Sequence, residues 1–538
     1  MIHLLRLEAV NLSHSILDTD DLSTRRGGSY LLLQAVRDVQ AAFANEMEPI
    51  STGASTGLFM VLLDADSELL AAKVAEWLFT HPDYRHASFV VVGDSADGFK
   101  VTNETCIAKG RWQQMQSLSV RCAWDMHLPV RAPVLGGRSP LACELDGVRP
   151  AVALDPSRSD QPRWISASVH ARRGGVVGGQ NLRQSFYRRE LTVGVPVAGF
   201  TNDLGMLAKL DHTEGEGLAV PRNLDNKIAI FYADGNGFGA VQAGCGSAED
   251  LAKWDDSLRQ RRRTLLHRLL AHAQARRHWR TTAGIIRLET LMWGGDELTF
   301  VVPAWCGLEL AALFFKLTAD WRYPADDTGR ALQHATALVF AHAKAPIRRL
   351  ERLAHDLVDQ TKQDGDKARN TLAWTVLESF DHTGSNLDDY LRRRYPLTPC
   401  PVSWSNLRLD AAQLQTLLAA LPALREVLPR SAIVRALRLL VSGQRQDRTG
   451  ALHPLLLRSC ESVDRAVKQV GESDRWQVLW QALGGGRPWA PQAPSLDDIA
   501  PWTLLLELWD YTLPELPELP ELPEPPEPPE LAVAENPA

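Results

Sequence analysis

The sequence predicts an α+β protein in which one strand-and-helix unit occurs twice and is followed by a helical domain. Three observations predict it. Apolar runs alternate with stretches of helical periodicity over 2–92, and the same alternation returns over 227–377. Residues 111–220, rich in Gly, Pro and Arg, lie between the two. From 387 to 510 leucines recur at helical spacing, as in Leu414, Leu417, Leu418, Leu421 and Leu424.

The first unit opens with a strand over 2–10 and a turn over 20–30, then a helix near 29–45. A β-like run follows over 57–63. Leu69, Leu70, Val74, Trp77 and Leu78 give 66–81 a helical period, and 87–92 reads as another strand. This order is close to a ferredoxin-like βαββαβ unit. In the second unit a strand over 227–232 ends at Asp234, and 247–279 is helical. Residues 285–293 and 298–302 read as strands joined by a tight turn at 294–297. A helix over 305–321, a strand over 336–340, a helix over 346–362 that starts with Pro, and a strand over 370–377 complete it. The repeated architecture predicts an internal duplication. The expected domains are 1–110, an irregular linker domain over 111–220, the second unit over 221–380, helices over 381–512, and a Pro/Glu tail over 513–538. Proline spacing keeps that tail out of helix and sheet, so it is expected to be extended and disordered.

Composition excludes several classes. A chain of 538 residues, 45% hydrophobic and 23% charged, can bury a large core without a metal or disulfide staple. The net charge of −7 equals the seven Glu that lie from Leu513 onward, so residues 1–512 are neutral as a whole. Local patches, not overall charge, must then decide any nucleic-acid contact. The seven Cys form no Cys-x-x-Cys pair, which predicts reduced thiols in a cytoplasm and no zinc knuckle. The N-terminus lacks a signal pattern, and no apolar run reaches the ~18 residues of a membrane span.

The chemistry is expected at three carboxylates. Asp234 stands in Tyr-Ala-Asp-Gly-Asn-Gly-Phe-Gly, and Asp296 and Glu297 stand in Gly-Gly-Asp-Glu, 62 residues after Asp234. In a ferredoxin-like unit the first strand lies beside that hairpin, so the spacing brings the carboxylates together. Carboxylates at adjacent strand ends can hold the divalent metals that phosphoryl and nucleotidyl transfer need. Gly294 and Gly295 are expected to allow positive φ and close approach of a phosphate or base; Gly235, Gly237 and Gly239 are expected to do the same. Asn236 belongs to the same candidate nucleotide-binding stretch. The row Arg259, Arg261, Arg262, Arg263, Arg268, Arg276, Arg277 and Arg280 reads either as a solvated helix face or as a contact for RNA or polyphosphate. The 172–179 loop lacks the Lys-Ser/Thr of a phosphate loop and is expected to be flexible. His342 is expected to be strand-end structure.

The two carboxylate motifs resemble the second palm domain of the large subunit of type III CRISPR effector complexes, a relative of GGDEF diguanylate cyclases and class III adenylate cyclases. Asp-Asp-Leu-Ser-Thr-Arg-Arg-Gly-Gly-Ser-Tyr at 20–30 resembles the first palm's turn and helix. Ile-Ser-Thr-Gly-Ala-Ser at 50–55 sits where a degenerate hairpin motif belongs, and Ala-His-Ala-Lys-Ala-Pro-Ile-Arg at 341–348, with Lys362 beyond it, resembles the segment after the catalytic hairpin. The likeness spans about 1–380. It implies two palm domains and synthesis of cyclic oligoadenylate second messengers from ATP, in antiviral defence, when guide and target RNA and the other effector subunits are engaged. By motif position Asp234 and Asp296 would hold two Mg²⁺ or Mn²⁺ ions, Lys362 would contact the triphosphate, and the first palm would cradle the acceptor ATP. Glu297 departs from the family's second aspartate and matches diguanylate cyclases. The chain opens directly on the palm, without the family's HD nuclease domain, so no DNase activity is expected. The family's cysteine-bound zinc has no visible ligands. The rival readings are a non-catalytic scaffold subunit and a GTP-using diguanylate-type cyclase.

Overall fold

A computed structural model describes residues 1–513 apart from 54, 63–64, 118–141, 156–162, 174–181, 192–198, 211–219, 325–328, 364–366, 378–385, 398–399, 401, 447–449 and 486–487. It is α+β. The first unit runs β1 (Ile2–Val10), α1 (Leu22–Ala42), β2 (Met47–Thr52), β3 (Thr56–Val61), α2 (Ser67–Thr80), β4 (Ser88–Ala96) and α3 (Phe99–Gln116). Its sheet has the order β2-β3-β1-β4, all antiparallel, which is the ferredoxin-like order.

Two expectations for this unit need correction. The strand β2 is missing from the sequence reading because Glu48 and Pro49 interrupt its apolar pattern. Both are exposed, and the register shifts between Pro49 and Ser51. Proline is tolerated there because β2 is an edge strand. Helix α1 starts at Leu22, not near 29, with Asp21 accepting from the Thr24 backbone N–H at 2.9 Å. Gly27 and Gly28 lie inside the helix and serve close packing, not a turn. A Cβ on Gly27 would stand 1.7 Å from the Arg172 carbonyl oxygen.

Arg172 and Arg173 end a short helix, Ala167–Arg172, that crosses α1 at this point. Arg172 is buried and donates to the Ile16 carbonyl (2.6 Å) and to Asp18 (2.7 Å); Arg173 donates to Asp21 (2.6 Å). The flexible loop expected over 172–179 therefore begins with two fixed arginines, and its remainder lies outside the described residues. Gly27→Ala is expected to destabilise the chain by roughly 1–3 kcal/mol, the cost of overpacking a fitted contact. Chemical denaturation checks it, with Ser29→Ala as a neighbouring control.

The second unit runs β5 (Lys227–Gly235), α4 (Ala248–Ala275), β6 (Glu289–Trp293), β7 (Glu297–Pro303), α5 (Gly307–Thr318), β8 (His334–His342), α6 (Ile347–Gln363) and β9 (Thr371–Val376). Its sheet order is β10-β9-β8-β5-β7-β6, where β10 is Leu409–Asp410. The four strands β6-β7-β5-β8 repeat the first unit's order, and β9 adds in parallel to β8. Alternate residues of β5 face opposite sides. Phe231 packs on Phe314 of α5 (ring centroids 5.1 Å) and Tyr232 on His355 of α6 (3.9 Å). Helices α5 and α6 thus cover opposite faces of one sheet. The expected strand over 285–293 shortens to Glu289–Trp293, since Ile286 makes only isolated bridges to Phe200 and Arg280.

Between the sheets sits the linker helix Leu182–Glu190. Phe186 stacks on Tyr30 of α1 (4.3 Å) and meets Trp293 edge-on (6.0 Å). Fully buried Glu289 accepts from Arg26 (2.5 Å) and Arg183 (3.2 Å), joining α1, the linker and β6. C-terminal to this, after a short helix at Leu387–Arg394, lie α7 (Ala411–Arg425), α8 (Arg430–Val441), α9 (Pro454–Gln469), α10 (Ser473–Ala482) and α11 (Ile499–Glu507). Leu414, Leu417, Leu421 and Leu424 are buried on α7, and Leu418 is only partly so. Trp476, Trp480, Trp489 and Trp502 close the far end as one aromatic cluster. Of the expected tail, 514–538 lie outside the described residues. Among the described residues no helix is long and apolar enough to cross a membrane.

Candidate active site

Strand β5 ends in Asp234-Gly235, and the register pairs Asp234 with Glu297 at the start of β7. Directly opposed residues of an antiparallel pair project to the same face. That face is covered by α6, whose Lys362 reaches Asp234 at 2.6 Å and donates to the Gly235 carbonyl at 3.2 Å. The hairpin is tight: Gly294 N–H donates to the Glu297 carbonyl at 2.8 Å. The Gly235 N–H donates to the Asp296 carbonyl at 3.2 Å, which ties the turn to the end of β5. Asp234, Asp296, Glu297 and Lys362 are thus brought to one place.

The glycines act differently from expectation. Neither Gly294 nor Gly295 has a positive φ. A Cβ on Gly294 would stand 3.1 Å from the Glu297 carbonyl that closes the turn, whereas Gly295 faces open space. After Asp234 only Gly237 is left-handed, at φ 76; Gly235 is held by the Phe238 ring, 2.5 Å from where its Cβ would be. Asn236 is buried. Its N–H donates to the Gln333 carbonyl at 2.7 Å, and its side-chain amide has no hydrogen-bond partner among the described residues.

The electrostatics follow from packing three carboxylates around one ammonium. Burial, then the Asp234 charge, raises the Asp296 carboxyl above its ordinary value. Burial and the charges of Asp234 and Asp296 push Glu297 up to about 7, opposed by the Tyr232 hydroxyl that donates to it. Ionising Glu297 is therefore harder in the folded chain than in the unfolded one. This penalty is absent below the ordinary value of 4.5 and is complete above about 7. With a chelator present, Glu297→Gln is expected to raise the thermal midpoint near and above neutral pH. The advantage over wild type shrinks to nothing as the pH falls to 4.5. An advantage independent of pH would contradict this origin.

The donor set suits a hard divalent cation: every donor is a carboxylate oxygen. The set is open. Among the described residues only His278, Cys306 and Glu309, elsewhere, bring three ligand atoms all within 4.8 Å of one another.

Several neighbours escaped the sequence reading. Arg262 of α4 is buried, donates to the Gly294 carbonyl and lies over the Trp293 ring at 6.0 Å. Trp293 in turn donates from its indole to Glu190 at 3.1 Å. His355 lines the cleft beside Tyr232. Nothing in the sequence separates Arg262 from the arginines around it. That row is neither a plain solvated face nor free for RNA along its length: Arg259 pairs with Asp255 and Arg261 donates to the Arg322 carbonyl at 2.5 Å. Arg263 approaches Glu190 at 3.7 Å. His342 ends β8 and accepts from the Lys344 N–H, as strand-end structure does.

A cleft of about 1710 Å³ opens in front of the hairpin. The second unit contributes Gly295, Asp296 and Glu297, and the first contributes Arg25, Ser51 and Ser55. The β2–β3 hairpin is the topological counterpart of β6–β7, yet Ser51 and Thr52 carry no charge and instead bond to Asp255 of α4. The volume exceeds the roughly 300–1,000 Å³ of an ordinary ligand pocket.

No family model matches the chain, and no curated protein matches it. Solved structures do. Csm1 from T. onnurineus aligns over 96% of this chain and 70% of its own, at 13% identity and a TM-score of 0.44. The chain resembles Csm1 large subunits of type III-A CRISPR-Csm complexes. The Csm1–Csm4 cassette in complex with cA4 covers 94% of this chain and 69% of its own (13% identity, TM-score 0.45). The Csm1–Csm4 subcomplex of the type III-A interference complex covers the same shares (13% identity, TM-score 0.44). At these identities the likeness to Csm1 concerns the fold.

Proposed function

We propose that the protein is a nucleotidyltransferase that makes cyclic oligoadenylates from ATP as the large subunit of an RNA-guided type III CRISPR effector in the cytoplasm. The observation that carries this reading is the in-register pair Asp234 and Glu297, with Asp296 beside them in the turn, at the wall of a cleft shared with a first unit whose corresponding hairpin ends in the uncharged Ser51 and Thr52. Asp234 and Asp296 would hold Mg²⁺ or Mn²⁺. When bound, two such ions neutralise a triphosphate and lower the pKa of an attacking hydroxyl.

The chain's own residues supply the rest. The ammonium of Lys362 transfers from Asp234 to the donor triphosphate. Gly295, with open space in front of it, lets a phosphate approach the backbone. The first palm, through Arg25 and Ser51, holds the acceptor ATP. The acceptor 3′-hydroxyl oxygen bonds to the donor α-phosphorus as pyrophosphate leaves. Glu297, balanced near neutrality between its two states, takes the hydroxyl proton. Guide and target RNA, and a partner subunit of the Csm4 kind, would provide the activated state.

The test is to incubate the chain, with its guide RNA, partner subunits and target RNA, with ATP or GTP and Mg²⁺ or Mn²⁺, and to resolve products by mass spectrometry. Cyclic oligoadenylates are expected from ATP. No ATP turnover under activating conditions would sink the proposal. That result would favour a scaffold without turnover, the reading to which the Lys362–Asp234 pair is equally suited.

A further inference from the structure

On the α5 side of the second sheet, opposite the face that carries the carboxylates, three potential ligand side chains converge away from the cleft and a fourth, His272, stands beside one of them. His272 lies in the last turn of α4, and His278 in the turn Arg277–Trp279. Cys306 ends the turn Ala304–Cys306, and Glu309 follows in the first turn of α5. The ligand atoms of His278, Cys306 and Glu309 all lie within 4.8 Å of one another. His272 Nε2 stands 2.7 Å from one Glu309 oxygen and His278 Nε2 2.6 Å from the other. His272, Cys306 and Glu309 are buried, and His278 is nearly so.

We infer that His272, His278, Cys306 and Glu309 form a structural site for one Zn²⁺ ion, separate from the carboxylate centre. Two imidazoles, one thiolate and one carboxylate are the donor types that zinc takes in tetrahedral sites. With Zn–N near 2.0 Å and Zn–S near 2.3 Å, tetrahedral ligands stand about 3–4 Å apart. The ligand atoms of His278, Cys306 and Glu309 already stand within 4.8 Å of one another, and His272, 2.7 Å from Glu309 but outside that group, joins them by a side-chain movement toward Cys306. Charge favours it too: Zn²⁺ with one thiolate and one carboxylate is neutral, which suits a buried position. The Trp279 indole N–H donates to Glu309 at 2.9 Å, the kind of outer hydrogen bond that orients a ligating carboxylate.

Without metal, burial followed by the Glu309 charge pushes the Cys306 thiol well above its ordinary value. Zinc binding replaces that proton: the S–H bond breaks, a Zn–S bond forms and the proton leaves to solvent. The site contains a single cysteine and so carries no Cys-x-x-Cys signature. Its ligands are spaced His-x₅-His and Cys-x₂-Glu, with 28 positions from His278 to Cys306.

The test is the metal content of the tag-free full-length chain after zinc loading and desalting, read by elemental analysis. About one zinc per chain is expected for a closed four-ligand site. It should persist in the Asp234→Asn/Asp296→Asn double variant and be lost in Cys306→Ala. Because variants of so buried a cluster can fail to fold, the wild-type chain is also loaded with Co²⁺. Tetrahedral d–d bands together with a thiolate-to-cobalt charge-transfer band are expected. A folded wild-type chain that retains no zinc, a cobalt spectrum lacking the thiolate band, or zinc lost only in the aspartate variant would overturn the inference.

Discussion

Asp296→Ala is expected to cut cyclic oligoadenylate formation by about 10³-fold, the scale for removing one preorganised electrostatic contact, and to leave the apo chain more stable than wild type. Both effects have one cause. Asp296 is held at the turn by its own backbone, through the Gly235 N–H, so its carboxylate is fixed among two others that repel it. A cation would turn that repulsion into attraction; without one it costs stability. Alanine removes the metal-holding oxygen and the repulsion together. Product quantification, run beside a thermal melt in chelator, checks both. Loss of product with a lowered melting temperature would mean that the substitution acts through folding, and retained product would remove Asp296 from the chemistry.

Glu289→Ala is expected to destabilise the chain by about 3–5 kcal/mol, the range for stripping one partner from a buried ion pair. Glu289 is fully buried between Arg26 and Arg183, which are themselves nearly buried. Its removal leaves two largely buried guanidinium groups without their carboxylate, at the junction of α1, the linker helix and β6. Replacing all three residues by methionine should recover most of the loss, because an apolar set of similar volume strands no charge. Urea denaturation of both variants measures this. A single variant within about 1 kcal/mol of wild type would show that the junction tolerates unpaired arginine.

Most of this architecture was legible in the sequence, for physical reasons. The central strands are apolar and bury both faces, so 2–10, 227–232 and 298–302 stand out. The hairpin glycines and the acidic pair mark their own turn. What escaped reading depends on contacts distant in sequence. β2 hides behind Pro49, which only an edge position excuses. Gly27 and Gly28 read as a turn because nothing local shows that Arg172 will cross α1 there. Arg262 is one arginine among many until α4 is laid against the hairpin. The linker's helices of five to nine residues are too short to establish a period.

The cleft takes its two walls from one polypeptide, and Glu289 and the linker helix lock those walls together. An active site assembled from two separate chains has a dissociation constant and empties on dilution. Here the effective concentration of one half at the other is set by covalent connection and a buried junction, independent of how much protein is present. Abundance then sets how many clefts exist, not how complete each one is.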